Sequence, residues 1–171
     1  KRKLVSGCSS YFGGGRSQVQ YLKLLGASED LCIAGHNVVD TAHFSTESST
    51  PSQLKAIESF GRFFISCTRF GKKKNIPQLI KAYASYKNTC IKNGEKPYQL
   101  VVAGDGELRN EIELTIVEMQ VMDTVHLLGA VDYNSLPWLY QNAEAFVHAS
   151  TTEQWGLVVN EAMAAGAPVL I

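Results

Sequence analysis

The chain has 171 residues, 45% hydrophobic and 19% charged, with 16 basic side chains against 16 acidic ones. That length fits a single domain as a soft prior. The charge balance excludes a bulk electrostatic footprint for nucleic acid or an anionic membrane, so any anion site must come from local placement.

In chain order, "KLVSG" reads as a short strand and residues 17–25 as a helix stopped by Gly26. "YFGGGRS" reads as a mobile glycine-rich loop, with no strand–GxGxxG–helix arrangement that would make it a phosphate loop. "DLCIAG" is a further strand, and the Ser- and Thr-rich "DTAHFSTESSTPSQ" has the composition of a linker. From Phe63 onward the pattern alternates regularly. "FFISC" is a buried strand, and Leu79, Tyr83, Tyr86 and Cys90 recur at helical spacing over 76–92. "YQLVVAG" is a strand, and Ile112, Ile116 and Met119 mark a helix that begins near Glu107. "VHLLG", a short helix over 136–141, "AEAFVHAS", a helix over 156–165 and "APVLI" complete the series. Strand runs without polar alternation, separated by helices, require a parallel sheet covered on both faces. The fold class is therefore α/β, a doubly wound, Rossmann-like sheet. Residues 1–40 are read as the tail of a preceding domain plus a connection, and 41–171 as the α/β domain.

Cys8, Cys32, Cys67 and Cys90 stand far apart without a CxxC pair, which argues against zinc. Cys32 and Cys67 lie in apolar runs and read as small core residues. We expect a reducing, cytoplasmic setting, although spacing alone leaves disulfides open. There is no signal peptide and no apolar run of membrane-spanning length. The start without Met and the end at "PVLI" read as those of a fragment.

Ligands of doubly wound sheets sit beyond the C-terminal strand ends. There, "TRFGKKKN" offers Arg69, Lys72, Lys73 and Lys74, which suit a phosphate or form a solvated loop. "AGDGEL" places Gly104 and Gly106 where a backbone can approach a ligand closely or simply turn. Gly129 to Val131 can present main-chain groups to a flat base. In "EQWGLVVNEAMAAGAPVLI", Glu153 and Glu161 would lie about 12 Å apart if helical spacing held throughout. The free N–H groups of Gly156, Leu157 and Val158 between them suit a diphosphate. Capping by Glu153 and an ordinary exposed Glu161 is the plain alternative.

That last stretch resembles the E-x7-E signature of retaining GT-B glycosyltransferases of family 4 (glycosyl transferases group 1), specifically their C-terminal donor-binding domain. "VVDTAHF", "TRFGKKKNIPQLIKAY", "VVAGDGEL" and "VHLLGAVDYNSLPWLYQNAEAFVHAS" resemble the family's preceding segments in the same order, over most of residues 31–171. The resemblance implies that Arg69 and Lys74 grip the donor diphosphate and stabilise the leaving group. It implies that Glu161 binds the ribose, that Glu153 contacts the transferred sugar, and that Gly156, Leu157 and Val158 lie near the phosphates. Gly104 and Val131 would sit near the nucleoside. Lys73 is the alternative to Lys74, because spacing does not fix which lysine points inward. Asn75, Ala149 and Trp155 depart from the family's common Gly, Pro and Phe, and imply altered loop shape.

The implied activity is transfer of a hexose, with retention, from a nucleotide diphosphate sugar to the hydroxyl of a carbohydrate or lipid-linked acceptor, in polysaccharide or glycoconjugate biosynthesis. No cofactor or metal is expected beyond that donor, and no nucleic acid partner. Membrane contact would be peripheral, at the inner face, through an absent N-terminal domain. Residues 1–171 alone are expected to bind nucleotide weakly and transfer nothing. A GT-B sugar-nucleotide epimerase and a non-catalytic nucleotide-sugar-binding module share the donor site and remain alternatives. An NAD-binding oxidoreductase is disfavoured by the lack of GxGxxG followed by a ribose acid.

Overall fold

The computed structural model describes residues 1–35 and 37–171. The chain divides into two compact units, Lys1–Val39 and Asp40–Ile171. Among the described residues no helix is long and apolar enough to cross a membrane.

The first unit contains α1 (Arg2–Val5), β1 (Tyr11–Gly13), α2 (Arg16–Leu24) and β2 (Cys32–Ala34). Two sequence expectations fail here. "KLVSG" is not a strand: Val5 and Ser6 donate back four residues to the carbonyls of Lys1 and Arg2, at 3.1 and 3.0 Å. Arg, Lys and Leu are good helix formers, and among the described residues this segment has no strand partner to override them. "YFGGGRS" is not a loose loop either. Its first three residues form β1, which pairs in parallel with β2, and Gly15 caps α2 directly afterwards. A Cβ on Gly13 would meet Val19 Cγ2 at 2.9 Å, so this glycine lets the helix lie close on its strand. The result is a small β–α–β unit.

The second unit begins with α3 (Thr41–Ser45) and α4 (Lys55–Glu58). The segment with linker composition is in fact folded. Asp40 caps α3 by accepting from the His43 N–H at 3.0 Å, and Phe44 is fully buried. Burying one such ring contributes about 1.5–3 kcal/mol, which outweighs what the surrounding Ser and Thr prefer. Five strands follow: β3 (Phe63–Cys67), β4 (Gln99–Ala103), β5 (Val125–Gly129), β6 (Ala145–Val147) and β7 (Val169–Leu170). Helices α5 (Ile76–Lys92), α6 (Arg109–Glu118), α7 (Leu136–Asn142) and α8 (Leu157–Ala164) separate them.

All pairings are parallel and the order is β5-β4-β3-β6-β7, so the expected doubly wound α/β sheet is present. Central β3 and β4 are buried along most of their length, as continuous apolar runs require. On one face Leu79, Ile80 and Tyr83 of α5 pack with Ile112 and Ile116 of α6 over Leu100 and Val102. On the other, α3, α7 and α8 pack together, with Phe44, Leu139, Tyr140 and Ala162 buried. Cys67 and Cys90 are buried as core thiols, but Cys32 is only half-buried, because among the described residues it lies in a sheet of two short strands and not in the five-stranded one. After β5 the chain returns past β4 and β3 to place β6 on the far side of β3. The direction of winding thus reverses between β3 and β6, and a crevice opens beyond their C-terminal ends.

Candidate functional site

Beyond β3 the backbone stays registered to its neighbour. Thr68 N–H donates to the Ala103 carbonyl at 2.9 Å and Phe70 N–H to the Asp105 carbonyl at 2.9 Å. A Cβ on Gly104 would stand 1.8 Å from the Thr68 carbonyl oxygen, and one on Gly106 would stand 2.8 Å from that of Phe70. Both glycines are therefore required by the adjacent backbone, whatever a ligand adds.

This arrangement forms the rim of a cavity of about 390 Å³ lined by Arg69, Gly104, Val131, Val158 and Glu161 together with Cys67 and Tyr140. Burial pushes the Cys67 thiol up to about 12, so it lines the cavity as a neutral group. A second cavity of about 330 Å³ lies on the other side of the start of α8 and is lined by Glu153, Gly156, His148, Thr151 and Trp155. Val158 and Glu161 face the first cavity, while Gly156, Val159 and Asn160 face the second. The helix N-terminus therefore lies between them. Among the described residues, the N–H groups of Gly156, Leu157 and Val158 meet no backbone acceptor, as at any helix start. The Leu157 side chain lines neither cavity and is exposed.

Continuous helical spacing between the two acids does not hold. The helix begins at Leu157, and Gly156 turns the chain with φ at +78°, so Glu153 lies in the preceding loop. There its carboxylate pairs with Lys74, so the inward-pointing lysine is Lys74, while Lys72 and Lys73 are exposed. Lys74 consequently faces Glu153 and does not line the first cavity with Arg69. Thr151 N–H donates to the Lys73 carbonyl at 2.9 Å and ties the basic loop to the acidic one.

The two acids are electrostatically opposite. Burial raises Glu161, and a hydrogen bond from Tyr140 Oη at 3.0 Å together with the charge of His43 only partly offsets it. Burial also opposes ionisation of Glu153, but Lys74 and His148 overcome it and hold the carboxyl at about 2. The Ser150 hydroxyl adds to that pull without reaching hydrogen-bond geometry. Sequence reasoning missed Tyr140 and His148. Tyr140 belongs to a buried helical stripe, and only the polar end of that stripe could have hinted at its role. His148 stands at a strand end, which was the available signal.

Asn75 lies in the left-handed region at φ +55°, ψ +34°, and its carbonyl accepts from Leu79 N–H at 3.2 Å. Asn and Gly tolerate that conformation and β-branched residues do not. Asn75→Val is therefore expected to lower unfolding free energy by about 1–2 kcal/mol, and Asn75→Gly to leave it nearly unchanged. Denaturant titration of both variants reads the difference.

A parallel sheet with two acids, a basic loop and a helix end at its switch point defines a Rossmann-like α/β domain. The family model described as "Glycosyl transferases group 1" matches residues 52–171. The alpha-monoglucosyldiacylglycerol synthase of Streptococcus pneumoniae is 30% identical over 114 residues, which are 67% of this chain and 25% of that protein. A Campylobacter jejuni enzyme, N-acetylgalactosamine-N,N'-diacetylbacillosaminyl-diphospho-undecaprenol 4-alpha-N-acetylgalactosaminyltransferase, is 29% identical over 140 residues, covering 81% of this chain and 34% of its own. The crystal structure of Anabaena HepE in complex with UDP superposes with a TM-score of 0.72 at 21% identity, over 95% of this chain and 44% of that one. The chain belongs to the glycosyl transferases group 1 family, with the fold of a GT-B C-terminal domain. It spans between a quarter and about a third of the length of these two curated relatives.

Proposed function

We propose that the second unit is the donor-binding domain of a retaining, family 4 glycosyltransferase that moves a hexose from a nucleotide diphosphate sugar to an acceptor hydroxyl. One observation carries this reading: a single crevice at the winding reversal gathers Arg69, Gly104, Val131, Val158 and Glu161, with Lys74 and Glu153 immediately beyond α8. The nucleoside lies in the first cavity, with its base beside Gly104 and Val131 and its ribose hydroxyls on Glu161. The diphosphate crosses the N–H groups of Gly156, Leu157 and Val158, where a helix end favours negative charge. The sugar enters the second cavity against Glu153. Arg69 and Lys74 meet the charge that builds on the departing diphosphate, and this is where electrostatic preorganisation lowers the barrier. Relatives named for glycolipid and lipid-linked diphosphate products support an acceptor in polysaccharide or glycoconjugate biosynthesis.

The two acids separate the parts of this reading. Glu161→Ala is expected to weaken nucleoside diphosphate and full donor alike. Glu153→Ala should spare the nucleoside diphosphate and weaken only the sugar-bearing donor. Each loss should be about 1.5–3 kcal/mol, the usual contribution of a hydrogen bond to a charged group. Calorimetric titration of both ligands decides, and equal losses for both ligands in both variants would refute the assignment.

A further inference from the structure

Each acid beside α8 is held by a buried donor that the proposed function leaves unused. Tyr140 Oη donates to Glu161 Oε2 at 3.0 Å, and the Tyr140 side chain is entirely shielded from solvent. His148 Nε2 meets Glu153 Oε1 at 2.7 Å, and His148 is 7% exposed. The Lys74 ammonium meets that same Oε1. Among the described residues, neither Glu161 Oε1 nor Glu153 Oε2 has a hydrogen-bond partner. In both carboxylates one oxygen is bound from within the protein and its twin is left available. The two donors flank one strand: Tyr140 lies on α7, which leads into β6, and His148 follows the end of β6. Their rings pack on the same residue, Phe146, with centroids 5.6 Å away for Tyr140 and 5.7 Å for His148.

We infer that Tyr140 and His148 are positioning residues, each fixing one oxygen of its acid so that the other is presented to a ligand hydroxyl. This rests on the donor-binding reading above. A carboxylate on a freely rotating side chain loses rotamer freedom when it grips a diol, whereas one already tied down loses little. Both donors are buried side chains held by packing, so each keeps its place without spending rotamer freedom when a ligand binds. Lys74 alone does not fix Glu153, since its ammonium sits on a flexible four-carbon stem and is also a cation proposed to meet the diphosphate. His148 is then what keeps Glu153 in place when Lys74 turns to the phosphates. The substrate features recognised are vicinal hydroxyls, of the ribose at Glu161 and of the hexose at Glu153.

The test titrates the intact protein with UDP, GDP and ADP, then with the glucose conjugate of whichever binds. Tyr140→Phe keeps the ring and removes only the hydroxyl, and is expected to weaken nucleoside diphosphate and conjugate equally, by about tenfold. His148→Asn is expected to weaken the conjugate by a similar factor and spare the nucleoside diphosphate. His148→Gln, whose amide reaches the place of Nε2 where that of Asn does not, should restore conjugate binding. A purely structural role for the imidazole would not separate Gln from Asn, nor one ligand from the other. Wild-type affinities in Tyr140→Phe and His148→Asn, with Glu161→Ala and Glu153→Ala still impaired, would overturn the inference and leave the function standing. No effect from either acid variant would overturn both.

Discussion

Replacing Arg69 or Lys74 with Ala in the intact protein is expected to lower turnover about a hundredfold or more, with a smaller change in donor affinity. A leaving diphosphate gains negative charge as the glycosidic bond breaks, so cations beside it bind the transition state more tightly than the ground state. Arg69 lines the first cavity, and Lys74 stands across α8 against Glu153. The two losses should therefore differ in character. Arg69→Ala removes a cation alone, whereas Lys74→Ala also removes one of the two groups on Glu153 Oε1 and should cost some affinity for the sugar-bearing donor. Lys72→Ala is the control, because Lys72 is exposed in the same loop. Steady-state kinetics of the three variants, with folding verified, check the expectation. Wild-type turnover in both Arg69→Ala and Lys74→Ala would make the basic loop solvated surface.

Gly104→Ala is expected to destabilise the fold by about 3 kcal/mol or more, well above a typical point substitution. The added Cβ would stand 1.8 Å from the Thr68 oxygen and 2.9 Å from its carbonyl carbon, and the residue has φ +135°. Both obstacles are backbone, so no side chain can swing aside. Thr68 cannot retreat without losing its 2.9 Å bond to Ala103, nor Gly104 without losing its 2.7 Å bond to the Gly129 carbonyl. Gly71→Ala is the contrast: nothing lies within 4 Å of its Cβ, and its φ is −121°. That change should leave stability within about 0.5 kcal/mol or raise it slightly. Denaturant unfolding of the pair checks the prediction, and equal midpoints would contradict it.

The parts legible in the sequence were those whose signal is local. β3, β4 and β5 are predominantly apolar runs without polar alternation, and the stripe Leu79–Tyr83–Tyr86–Cys90 repeats at helical spacing, so the alternation and the parallel sheet followed directly. The segment around Phe44 was misread because its Ser and Thr content outvotes one aromatic residue, while the folded chain is held by that residue. β1 was missed because three residues carry too little pattern, and its partner lies beyond an intervening helix. At the site, the strand ends identified the crevice, but the pairing that sets its electrostatics joins Lys74 to Glu153 across 79 residues. Spacing within either loop holds no trace of that pair. Gly104 shows a related limit: the residue type was readable, whereas the Thr68 carbonyl that demands it lies just past the end of the neighbouring strand β3.

The central claim, that the crevice beside α8 holds a nucleoside diphosphate, is tested most directly by titrating UDP, GDP, ADP and NAD by calorimetry against the intact protein and its Glu161→Ala variant. Saturable one-to-one binding of at least one nucleoside diphosphate, no comparable binding of NAD, and a loss of about tenfold or more in the variant are expected. Tighter binding of NAD, no binding of any nucleoside diphosphate, or binding indifferent to Glu161 would contradict it.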